Sequence, residues 1–106
     1  MRHALRVESH RIMRLTVAGR VQGVGFRVFV ARAARARGLR GWVRNRRDGT
    51  VEALVAGTSE AVAALLAAVR SGPPGSRVDS VQTAAVTDSP ELRARIGQGF
   101  SIAPTV

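Results

Sequence analysis

Two side chains and one loop carry the chemistry that can be read from this chain of 106 residues. Gly19 to Gly25 places glycines at 19, 23 and 25, directly after an alternating apolar stretch. Glycine at 23 and 25 permits backbone angles at which successive N–H groups point inward as an anion-binding nest. A helix starting just beyond the loop adds unpaired N–H donors and the positive end of its dipole. Arg27 falls in that first turn, with a permanent charge and a planar, two-pronged reach suited to phosphate oxygens. Asn45 offers a carboxamide with both a donor and an acceptor end. Such a set can hold an oxyanion and orient a small polar molecule beside it.

Proton-abstracting and metal-binding groups are scarce around this set. Cysteine, lysine and tyrosine are absent, and both histidines, His3 and His10, precede the first regular pattern. The acids Glu8, Asp48, Glu52, Glu60, Asp79, Asp88 and Glu91 are scattered, with no cluster suited to a metal ion. Asp48, beside Gly49, reads as a turn residue and Glu52 as a solvated strand position. No serine has a partnered base. No metal and no cofactor is expected.

The elements that must position these groups follow from periodicity. Met13, Leu15 and Val17 alternate with Arg14 and Thr16, the pattern of a half-buried strand. Phe26, Phe29, Val30, Ala33 and Ala34 form the apolar stripe of a helix that ends near Gly38. Leu39 to Arg46 reads as a second strand, Asp48-Gly49 as a hairpin turn, and Thr50 to Ala56 as a third strand. Thr58 is the expected N-cap of a second helix, with Glu60 in its first turn and Val62, Leu65, Leu66 and Val69 buried. Gly72-Pro73-Pro74-Gly75 ends it. Val78 to Val86 follows as a fourth strand, residues 87–99 read as loop, and Phe100 to Ala103 as a short closing strand. The order β-α-β-β-α-β predicts an α+β, ferredoxin-like sandwich: one antiparallel sheet with two helices on one face. Residues 1–11 read as a flexible N-terminal tail and 12–103 as the single domain. In this topology the first strand ends, the first helix starts and the second strand finishes at one end of the sheet. Arg27 and Asn45 are therefore expected to converge.

At these same positions, GRVQGVGFR (Gly19 to Arg27) and GWVRNRRDGTVE (Gly41 to Glu52) strongly resemble the signatures of the acylphosphatase family. A weaker similarity runs through Gly72 to Val81 and ends near Phe100 to Ile102. The resemblance implies an enzyme that hydrolyses acyl phosphates to a carboxylate and inorganic phosphate without a metal. By the same resemblance Arg27 matches the phosphate-binding arginine and Asn45 the asparagine that positions the attacking water. The N–H groups of Gln22, Gly23, Val24, Gly25, Phe26 and Arg27 match the phosphate cradle. An acyl phosphate suits a site without bases, because its carboxylate leaving group needs no strong general acid. A phosphate oxygen of the substrate is implied as the acceptor of the water's proton.

Composition bounds the partners. The formal charge is +10 and all 17 basic residues are arginine, a field that attracts anions of many kinds. Gly25 to Val30 loosely resembles an aromatic ribonucleoprotein motif. Its Phe26 and Phe29, however, have helical i, i+3 spacing and belong to a core rather than to an open sheet face. Aromatic residues make up only 4% of the chain, too few for stacking platforms, so no specific nucleic-acid partner is expected. The longest apolar run, Ala61 to Val69, is too short to span a bilayer, and Met1 to Ile12 lacks the apolar stretch of a signal peptide. A cytoplasmic monomer acting on a small acyl phosphate, with no membrane partner, is the expectation.

Overall fold

A computed structural model of the chain describes residues 10–106. Strand β1 (His10–Arg20) leads into helix α1 (Phe26–Ala36), and strands β2 (Arg40–Asn45) and β3 (Val51–Thr58) form a hairpin. Helix α2 (Ser59–Ser71), strand β4 (Arg77–Ala85), helix α3 (Pro90–Ile96) and strand β5 (Phe100–Ile102) complete the chain. The sheet order is β4-β1-β3-β2-β5. β1 pairs antiparallel with β3 and β4, and β2 with β3, while β5 runs parallel to β2. The sheet is thus mixed where an antiparallel one is expected. A chain that crosses over through α3 returns in the direction of β2.

Alternation along the strands sends Leu15, Val17, Val43, Val51, Ala53 and Val55 to one face, where they form one core with the helices. α1 supplies Phe26, Val30, Ala31 and Ala34, and α2 supplies Val62, Leu65 and Val69. Phe29, Ala33 and Leu66 pack against this core while only partly buried. The α2 cap is the expected one, since Thr58 Oγ1 accepts from the Ala61 N–H at 3.1 Å. Burying Phe26, which is 1% exposed, stabilises by about 1.5–3 kcal/mol and fixes where α1 begins.

The stretch expected as loop over 87–99 contains α3. Ser89 Oγ accepts from the Leu92 N–H, Pro90 occupies the first turn, Glu91 faces the dipole and Gly97 closes the helix. Leu92 and Ile96 are its only apolar residues in one row, too few to announce a helix by periodicity. They cover the sheet face opposite α1 and α2, against Ile12, Trp42, Leu54, Ala56 and Val86.

The same far face buries Glu52, which is 7% exposed and not the solvated position expected. Its carboxylate meets Arg44 at 2.9 Å, Arg46 at 3.1 Å and Arg14 at 3.6 Å. The ladder explains the burial, because Glu52 stands opposite both Thr16 of β1 and Arg44 of β2 on a central strand. The Arg44 guanidinium also lies 4.3 Å from the centre of the Trp42 ring. Asp48 is the turn residue expected, accepting from the N–H and hydroxyl of Thr50.

Of the tail expected over 1–11, residues 1–9 lie outside the described residues. The strand opens at His10, opposite Thr58, two residues before Ile12. At the other terminus the chain stays on the sheet beyond Ala103, where the Val106 N–H donates to the Asn45 carbonyl and the Arg47 N–H to that of Val106. Replacing Glu52 by glutamine removes the charge that three guanidiniums share. Urea denaturation of Glu52→Gln is expected to show a loss of about 1–3 kcal/mol; an unchanged midpoint would mean that solvent satisfies those arginines equally well.

Candidate active site

β1 ends at Arg20, and the next residue, Val21, is 1% exposed. Val21 and Phe26 are both driven into the core, so the four residues between them must arch over its edge. Gly23 (φ 76°) and Gly25 (φ 77°) make that arch in the left-handed region. A Cβ at either position would meet nothing within 4 Å, so glycine is needed there for the backbone angle and not for space. An L-residue costs about 1–2 kcal/mol in that conformation.

The arch leaves its donors free. Among the described residues, no protein group accepts from the N–H groups of Gln22 to Val28; the first bonded amide is Phe29, which donates to the Gly25 carbonyl at 3.0 Å. Gly25 is the N-cap of α1 and has no side chain to cap with, whereas Thr58 and Ser89 cap α2 and α3. The N-terminus of α1 therefore presents bare N–H groups and an uncompensated dipole end.

Arg27 and Asn45 line one pocket of about 180 Å³ together with Gly23, Gly25 and Phe26. The convergence expected from topology is present. Arg27 is half-buried and takes no part in the ion pairs of the described residues, which engage Arg14, Arg44, Arg46, Arg77 and Arg93. Asn45 closes β2, opposite Val51. Its Oδ1 is shielded from solvent and has no donor among the described residues. Leaving such an acceptor unpaired costs about 1–3 kcal/mol.

Two of the loop residues send their side chains elsewhere. Val24 packs against the core. Gln22 donates from Nε2 to the carbonyls of Arg46 and Thr50, at 2.8 and 2.9 Å, so its side chain ties the loop to the β2–β3 hairpin. Three apolar walls were not singled out in the sequence: Val21, Val28 and Ile102. Val28 had a signal, since it is an apolar residue off the buried stripe of α1 and stays 47% exposed. Ile102 had none beyond its place in β5.

No acidic residue lines the pocket. The carboxylate at the hairpin tip, Asp48, is held below the usual carboxylate range, first by the Thr50 hydroxyl, then by the Thr50 N–H, with the Arg46 charge a lesser cause. His10 opens β1, at the opposite end of the strand from the pocket, and bonds Arg40 at 2.9 Å. His3 lies outside the described residues. Among the described residues, no three His, Cys, Asp or Glu side chains gather to hold a metal, and no helix is long and apolar enough to cross a membrane.

This architecture and these motifs have known counterparts. The chain is 54% identical over 99 residues to an acylphosphatase of Bradyrhizobium diazoefficiens, an alignment spanning 92% of this chain and 99% of that protein. The crystal structure of acylphosphatase from Bacillus subtilis superposes with a TM-score of 0.80 at 39% identity, covering 90% of this chain and 99% of that one. An acylphosphatase from Coxiella burnetii gives a TM-score of 0.79 at 29% identity, covering 89% and 93%. The family model for acylphosphatase matches residues 13–102, from β1 through β5 and including every residue of the pocket. The arch, the arginine and the asparagine thus sit in a chain that belongs to the acylphosphatase family, enzymes that hydrolyse acyl phosphates.

Proposed function

We propose that Arg27 and the loop N–H groups from Gln22 to Arg27 bind the phosphoryl group of an acyl phosphate, and that Asn45 orients the water that attacks it, with no metal taking part. The observation that carries this reading is the shared pocket, which holds an unpaired guanidinium and a carboxamide beside free main-chain donors. Phosphoryl transfer asks mainly for in-line positioning and for donors aimed where charge accumulates. The arch and the helix end supply fixed donors. Arg27 adds a charge that can grip two oxygens at once, each charge-assisted bond contributing about 1.5–3 kcal/mol.

Asn45 suits the water because its amide has both senses of hydrogen bonding. A small rotation toward an incoming water gives Oδ1 the donor that the protein withholds. The water then attacks phosphorus while the bond from phosphorus to the acyl oxygen breaks. The electrons of that bond leave with the carboxylate, and a phosphoryl oxygen accepts the water's proton. A carboxylate with a pKa of about 4 departs without a protonating acid, which fits a pocket without acidic or imidazole lining. The enzyme is proposed to act in this way as a cytoplasmic monomer.

The donor set also supports the metal-free reading, since the charged group of the pocket is a guanidinium, which repels a cation. Benzoyl phosphate hydrolysis is expected to continue at full rate in excess chelator. Activity abolished by chelation and restored by magnesium would overturn that part of the proposal.

The two side chains are expected to fail differently. Asn45→Ala should lower kcat by about two or more orders of magnitude, comparable to removing one preorganised donor, while inorganic phosphate inhibits almost as before. Arg27→Ala should both lower kcat and weaken phosphate inhibition. Equal and modest losses in the two variants would contradict the division of roles.

A further inference from the structure

We propose that the groove beside the pocket is the seat of the acyl group, and that Arg32 selects acyl chains ending in an anion; this rests on the phosphoryl-site reading above. The pocket that holds Arg27 and Asn45 measures about 180 Å³, below the roughly 300–1,000 Å³ usual for a whole small-molecule ligand. It fits a phosphoryl group with an acyl stub as short as acetyl and leaves a longer acyl chain to be housed elsewhere. A second groove of about 430 Å³ opens beside it and shares Gly25 and Val28 with it.

The direction of attack selects this groove. In an in-line displacement the water and the leaving group stand on opposite sides of phosphorus. Asn45, proposed to orient the water, lines the pocket and not the groove. The groove lies past the shared Gly25 and Val28, toward Pro73 at the end of α2. A leaving group pointing away from the water has this apolar surface to enter.

Its walls state what it can take. Val28, Phe29, Ala33 and Pro73 are apolar, and Val28 stays 47% exposed between the two cavities. Arg32 is the one charged residue of the lining. It is exposed and enters no ion pair among the described residues. Along α1, Phe26 and Arg32 are about 9 Å apart at 1.5 Å per residue. Helical side chains lean toward the N-terminus, which here is the phosphoryl end. A short apolar stem with a terminal carboxylate spans that gap, so the substrate class is the monoacyl phosphate of a dicarboxylic acid.

The test compares kcat/KM of the full chain for acetyl, butyryl and succinyl phosphate, each corrected for uncatalysed hydrolysis. Butyryl phosphate is expected to exceed acetyl, and succinyl to exceed butyryl. Arg32→Gln should cut the succinyl-to-butyryl ratio by about two- to fivefold, the scale of an exposed charge pair, and Arg32→Glu should cut it further. Acetyl phosphate should change less than about twofold in either, because it does not reach Arg32. Arg95→Gln, on the opposite sheet face, removes the same charge and should leave the ratio alone, which separates a local contact from the general field of a basic protein. An unchanged ratio in both Arg32 variants, or an equal fall in Arg95→Gln, overturns the anion selection. Equal wild-type rates on acetyl and butyryl phosphate overturn the apolar seat. In each of these cases continued hydrolysis of acetyl phosphate leaves the phosphoryl site standing, whereas hydrolysis of none of the three acyl phosphates brings down both readings.

Discussion

The carboxamide of Gln22 extends the hold of the β1–β3 ladder, which ends at Val17 opposite Val51, to the loop beyond β1. Its Nε2 bonds the carbonyls of Arg46 and Thr50, which themselves face each other across the hairpin through the Arg46 N–H. The arch that carries the free amides is thereby tied to the turn that follows Asn45. Both ends of the arch are sunk in the core through Val21 and Phe26, each 1% exposed. With three anchors the loop has little freedom left, and donors that are already placed need no reorganisation when charge develops. Rigidity at this end of the sheet is a consequence of hydrophobic burial first and of one side chain's hydrogen bonds second.

The arginines divide along the same line. On the far face Arg14, Arg44 and Arg46 surround one buried carboxylate, and Arg44 also rests on Trp42. Arg77 and Arg93 pair with Asp79 and Asp88, and each pairing holds its arginine proton more firmly, chiefly through the hydrogen bond to the carboxylate. Those guanidiniums have their anion built in. Arg27 and Arg32 have none among the described residues, although they flank the pocket and its neighbouring groove. With an excess of 10 positive charges overall, some arginines must go without partners. Two of them stand on α1 close to its uncapped amides, one in each of the two cavities that share Val28, where an incoming anion meets a guanidinium without a built-in partner.

Much of this was legible in the sequence, and for identifiable reasons. Strand β1 alternates over a face that is half-buried, so period two is written plainly there, whereas β3 is buried on both faces and was marked by the Asp48-Gly49 turn before it. The α1 stripe survives because Phe26, Val30 and Ala34 all enter one core. Topology then fixes the meeting of Arg27 and Asn45 without any knowledge of side-chain packing. What was not legible depends on long-range partners. Glu52 looks like a solvated strand carboxylate until β1 and β2 close on either side of it with arginines. α3 is a seven-residue helix held by two apolar side chains, so its caps are its strongest local signal. β5 joins parallel to β2 over three residues, a pairing that no local pattern announces. Gln22 was singled out for its amide, but the work of its side chain depends on carbonyls more than twenty residues away.

The scarcity of acids and bases around the pocket then becomes a statement about which bonds the protein can break. A site whose lining, among the described residues, holds no imidazole, thiol or carboxylate has no group to deliver a proton to a strongly basic leaving group such as an alkoxide. It can release a leaving group that is stable as an anion near neutrality, and a carboxylate is one. In the proposed reading a guanidinium, fixed amides and a carboxamide take the remaining tasks, which are to spread phosphoryl charge and to aim water. The chemistry admitted by the side chains is therefore narrower than the range of anions that the charge attracts. Field and site act at different stages: the excess of arginine gathers anions indiscriminately, and the shape and poverty of the pocket decide which of them can react.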